Sequence, residues 1–130
     1  MPKVVFFHAP DDVAACSLRT GPPRAVPGEP SEYLNALESY LTGRSSDDIN
    51  IDDRHLMLVT PLGEHLEYVP EHVGTLTDTL RDALAAADGE RLREASGRWP
   101  FVEELAAVSR SGVTAGDRLY LRWTSSRPGG

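Results

Sequence analysis

The sequence predicts an α+β domain, a small mixed or antiparallel sheet with helices packed against it, and three observations carry that reading. Residues 4–7 and 119–123 have strand patterning. Residues 55–60 and 64–69 form two apolar runs around the turn residues Pro61, Leu62 and Gly63. Between these lie segments whose apolar residues recur at helical spacing.

Taken in order, Val4, Val5, Phe6 and Phe7 make a β-branched and aromatic run suited to a strand buried on both faces, hence central in its sheet. Pro10, Asp11 and Asp12 then open a helix, with proline where no donor is needed and carboxylates where the helix dipole favours them. The proline- and glycine-rich residues 21–30 read as an irregular loop that could close over a ligand. Ser31 is placed to cap a helix carrying Leu34, Leu37 and Leu41 on one face, stopped by Gly43. After a polar stretch at 44–53, the proline and glycine of the turn predict a hairpin in which Thr60 pairs with Glu64. That register sets Leu56 and Leu58 on a core face with Leu66 and Tyr68, and His55, Met57, His65 and Glu67 on the other.

Pro70 and Glu71 are expected to start the longest helix, because Val73, Leu76, Leu80 and Leu84 keep the helical period until Asp88 and Gly89. A short turn follows at 90–95, then a helix from Pro100 to Gly112 with Phe101, Leu105 and Val108 on one face. A half-buried strand at 117–124 ends the fold, Leu119, Leu121 and Trp123 alternating with Tyr120 and Arg122. The reading is one domain over residues 1–124 and a flexible tail over 125–130.

Composition limits the partners. The 130 residues are 40% hydrophobic and 25% charged, ordinary values for a chain that builds one core. With 20 acidic against 13 basic residues and no basic stripe, the net charge of -7 argues against nucleic acid and anionic membranes. The Arg-for-Lys bias, with frequent Ala, Gly and Pro, is how proteins of GC-rich bacterial genomes read. A single cysteine, Cys16, excludes an internal disulfide, and no apolar run suggests a signal peptide or a membrane span, so the expected location is cytoplasmic.

Tyr40-Leu41-Thr42-Gly43 at a helix end, Tyr68-Val69-Pro70-Glu71 with Val73 ahead of a helix, and the closing residues 101–123 together resemble the YfbM-like family of small bacterial proteins. The resemblance implies an α+β architecture and no particular reaction.

Few residues carry recognisable chemistry. His55, His65 and Glu67 beside Met57 offer the donors of a transition-metal or acid–base site, although the register holds the two histidines at different ends of the hairpin. Asp48, Asn50 and Asp52 imitate the spacing of a calcium loop, but Asp53 and Val59 stand where its glycine and bidentate glutamate belong, so no metal site is assigned. Cys16 sits too far along its helix to be activated by the helix end, and pairing it with His8 has less to recommend it than a packed thiol. There is no G-x-S-x-G elbow, no phosphate-binding glycine loop and no H-E-x-x-H, and no cofactor is expected. The terminal Gly129-Gly130 resembles the tail of β-grasp modifiers and sulfur carriers. Tyr33 and Trp123, with the other aromatic side chains, are suited to line a pocket or anchor a partner. The function these residues favour is non-catalytic binding of a protein or small ligand, at a site drawn from His55, Met57, His65, Glu67, Tyr33 and Trp123. A small enzyme or metal-binding protein and a diglycine modifier are the alternatives.

Overall fold

The computed structural model describes residues 3–17, 24–25, 29–59 and 71–124, and shows an α+β domain. Its elements are β1 (Lys3–Ala9), α1 (Asp12–Ser17), β2 (Arg24–Ala25), α2 (Pro30–Thr42), α3 (Ser46–Asn50), β3 (Glu71–Thr75), α4 (Asp78–Ala86), α5 (Gly89–Ser96), α6 (Val102–Ala115) and β4 (Arg118–Thr124). The four strands form an antiparallel sheet in the order β2-β1-β4-β3. β1 is therefore interior, as its apolar run requires.

Strand parity divides the core. Val4 and Phe6 of β1 and Leu119 and Leu121 of β4 face the helical layer, meeting Leu34 and Leu37 of α2, Leu80 and Leu84 of α4, and Leu105 and Ala106 of α6. The alternate residues Phe7, Ala9 and Tyr120 face the other way, where they cluster with Val73 of β3 and Ala15 of α1. Burying an apolar side chain contributes about 1.5–3 kcal/mol, so the larger, helix-covered cluster dominates stability.

Several boundaries differ from the sequence expectation for identifiable reasons. Asp11, not Pro10, opens α1, its carboxylate accepting from the Ala14 amide at 2.8 Å. Pro30 takes the first position of α2, which places Ser31 inside the helix and leaves no side-chain cap on it. The polar stretch contains α3, capped by Ser45, whose hydroxyl accepts from the Asp48 amide. The helix expected from Pro70 divides into β3 and α4, because Thr77 caps α4 by accepting from the Leu80 amide and Asp78 complements the dipole. Gly112 does not end α6, which runs on to Gly116 in the left-handed region at φ 74°. Gly112 instead lets the helix approach β1, since a Cβ there would lie 3.1 Å from the Cβ of His8.

The first arm of the expected hairpin lies along β3. The Leu56 amide donates to the Thr75 carbonyl at 2.7 Å, the Thr75 amide to Met57 and the Val59 amide to Val73, each at 2.9 Å, with a bridge between Leu58 and Gly74. The second arm, 64–69, and the tail, 125–130, lie outside the described residues. Among the described residues, no helix is long and apolar enough to cross a membrane.

Candidate functional site

The contact with β3 contains an irregularity. Leu56 and Met57 both address Thr75, the hydrogen-bond pattern of a β-bulge whose first residue is usually glycine in the left-handed region. Here that residue is leucine at φ 58°, the one non-glycine with positive φ among the described residues. A leucine held so costs about 1–2 kcal/mol against a right-handed conformation. The Thr75 hydroxyl steadies the bulge by donating to the Arg54 carbonyl at 2.6 Å.

The bulge gathers apolar side chains at the end of the helical layer. Gly74, opposite Leu58, leaves the sheet surface open, and the ring of Trp123 occupies that space: a Cβ on Gly74 would lie 2.8 Å from a ring carbon and 3.6 Å from a Leu56 methyl. The His72 ring lies against Trp123 at 5.4 Å between centroids. The result is a groove of about 270 Å³ bounded by Glu29 and the first α2 residues Pro30 and Ser31, by Leu56 and Leu58, and by Trp123. Leu58 is 57% exposed and Met57 41%, whereas the sequence register placed Leu58 in the core. Ser31 also borders a second hollow of about 450 Å³ between α2 and α3, lined by Glu32, Asn35, Ala36, Ser46 and Asn50.

A separate polar cluster centres on a buried carboxylate of α2. Glu38 of α2 is fully buried, and its carboxylate accepts from the hydroxyls of Thr77 and Thr79 and from the Arg44 guanidinium at 2.5 Å. Arg44 also holds Asp52 at 3.0 Å. His55 belongs here and not on a solvated hairpin face: burial holds its imidazole below the usual histidine range, while Glu38 and Asp52 pull the other way. Its Nε2 is buried without a hydrogen-bond partner. On the opposite sheet face, Asp12 accepts from Tyr120 at 2.6 Å and from Nη1 and Nη2 of Arg54, each at 3.1 Å, and the Arg54 hydrogen bonds hold its carboxyl below the usual range. Burial, then Asp12, push the Tyr120 phenol up to about 12.

The sequence-derived site residues are thus divided. Trp123 lines the groove, and Met57 lies next to it in the chain, between two lining residues. Tyr33 is buried one turn into α2, its ring 4.8 Å from that of Phe101, and its unpartnered hydroxyl is raised in pKa by burial and by Glu29. His55 turns to the Glu38 cluster, and His65 and Glu67 lie outside the described residues. Leu56, Leu58 and Gly74 went unrecognised because they read as ordinary strand and helix positions. The signal available was a glycine within a β-branched run, which marks close approach of other atoms.

The remaining candidates have structural partners. The Cys16 thiol donates to the Val59 carbonyl, and burial and Asp12 push it up, whereas His8 pairs with Asp117 at 2.7 Å. Asn50 accepts from Asn35 at 2.8 Å, and Asp52 is held by Arg44. Among the described residues, no group of three His, Cys, Asp or Glu side chains could hold a metal ion. No family model, curated protein or solved structure matches the chain.

Proposed function

We propose that this protein is a non-catalytic recognition module whose groove between α2 and Trp123 receives an apolar group of its binding partner. The observation that carries this reading is the convergence of Leu56, Leu58 and Trp123 over Gly74, built around a leucine held in a backbone conformation that glycine would occupy without strain. Such convergence gives an apolar floor beside solvent, and aromatic side chains in this position dominate binding energies. The volume is near the lower end for small-molecule pockets and accommodates one large side chain or a ligand of similar size.

The test uses the neutral dye Nile red, read through its own emission. The wild-type protein is expected to bind one equivalent. Leu58→Glu, which charges an exposed wall, and Ser31→Trp, which fills the hollow from α2, are expected to weaken binding by about tenfold, or roughly 1.4 kcal/mol. Neither site is buried, so thermal midpoints serve as the folding control. Absence of dye binding, or equal binding by all three proteins, overturns the reading.

A further inference from the structure

We infer that the occupant of the groove is a basic segment of a partner protein, with one large apolar side chain seated against Trp123 and Lys or Arg residues lying across α2 and α3. This rests on the recognition reading above and adds the partner's chemistry.

The argument starts from where the charge lies. Residues 29–53 contain seven carboxylates and one basic side chain, Arg44, so six of the seven net negative charges of the chain arise there. Arg44 is committed to Glu38 and Asp52. Glu29, Glu32, Asp47, Asp48 and Asp53 remain exposed, and none takes part in an ion pair among the described residues.

These charges stand at the site itself. Glu29 borders the apolar groove, Glu32 borders the second hollow, and Ser31 lines both. Asp47 and Asp48 follow Ser46, which lines the far side of the second hollow. Asn35 adds little hydrogen-bonding capacity there, because its amide donates to the Ser46 carbonyl and to Asn50 and accepts from the Ser46 hydroxyl. The free groups are chiefly acceptors, so the occupant must bring donors.

Helix dipoles oppose this charge without cancelling it. The start of a helix is equivalent to roughly half a positive charge. Two such ends, those of α2 and α3, leave the four carboxylates around the hollows in clear excess. Across a Debye length of about 10 Å at 0.1 M salt, such a field steers cations and repels acidic chains. An apolar groove with carboxylates beside it therefore matches an apolar anchor flanked by positive charge.

Three nine-residue peptides test this: a central Phe with four flanking Lys, the same with Ala for Phe, and the same with Glu for Lys. The Lys/Phe peptide is expected to perturb the protein's tryptophan emission, and to bind about tenfold more weakly when salt rises from roughly 50 to 300 mM. The Ala-centred peptide should lose at least about tenfold, and the Glu peptide should not bind. Joint replacement Glu32→Gln, Asp47→Asn and Asp48→Asn should weaken the Lys/Phe peptide while leaving Nile red binding unchanged. Equal binding of Lys and Glu peptides, with Nile red binding intact, overturns the basic partner and leaves the groove standing. Equal binding of Phe- and Ala-centred peptides reveals adventitious attraction of a polycation and also overturns it. A three-site variant that melts earlier yet binds the Lys/Phe peptide normally assigns the carboxylates to helix ends alone. Loss of Nile red binding by the wild-type protein removes the underlying recognition reading.

Discussion

Replacing Glu38 by alanine removes the acceptor on which three elements converge. Its carboxylate ties α2 to Thr77 and Thr79 at the start of α4 and to Arg44 after the Gly43 cap. Breaking a buried ion pair from one side costs about 3–5 kcal/mol when the remaining charge is left unpaired. Arg44 keeps Asp52 as a counter-ion and its side chain is 27% exposed, which places the loss near the bottom of that range, at about 3 kcal/mol. For a chain of this size that lowers the thermal midpoint by roughly 10 °C. Glu38→Gln keeps the shape and one acceptor oxygen but turns an amide toward Arg44, and should cost about 1–2 kcal/mol. Urea denaturation of Glu38→Ala, Arg44→Ala and the double variant measures the coupling directly, expected at about 1 kcal/mol or more. Additive single effects, or a Glu38→Ala loss under about 1 kcal/mol, would refute the view that this carboxylate anchors the helical layer.

Two further outcomes follow from local geometry. Burial lowers the folded pKa of His55 below its unfolded value, so the unfolded chain takes up the proton first; this stability is fully present above the unfolded pKa and declines as pH falls through the histidine range. The slope cannot exceed about 1.4 kcal/mol per pH unit, and urea denaturation between about pH 5 and 7 should show it in the wild type and not in His55→Gln. Asp12 and Asp52, whose carboxyls are lowered, lose their contribution at more acidic pH and do not obscure it. At Leu56 the usual ranking should invert: Leu56→Gly and Leu56→Ala forfeit the same contacts, but only glycine relaxes at φ 58°, so the glycine variant should be about 1 kcal/mol more stable. A more stable alanine variant in the same assay would show that no strain is held there.

Much of the architecture was legible because it depends on signals short in sequence. The β-branched run of β1, the alternation of β4, the leucine spacing of α2 and its glycine stop all act within a few residues, and each element formed where those signals lie. The misreading at residues 70–84 has the same origin. Val73 and Leu76 continue the period of Leu80 and Leu84, and that pattern cannot show that the chain changes from strand to helix at Thr77. The deciding interactions are a hydroxyl cap and pairing with β4, whose partners are distant in the chain.

The candidate site was less legible because its parts are ordinary one by one. Leu58 reads as a core residue until the bulge at Leu56 alters which side chains are covered, and His55 reads as a surface ligand until Glu38 and Asp52 arrive beside it. Acidic charge was visible in the composition, but its gathering beside an apolar hollow was not.

By itself the sequence determined the fold class, the identity of most elements and the acidic surface, since propensity, periodicity and net charge are properties of neighbouring residues or simple sums. Only the tertiary structure decided that residues 56–59 pair with β3, that Glu38 is buried with its partners, and that Trp123 meets Leu56 and Leu58 over Gly74. Each of these depends on contacts between residues far apart in the chain, where the space left by one side chain is filled by another.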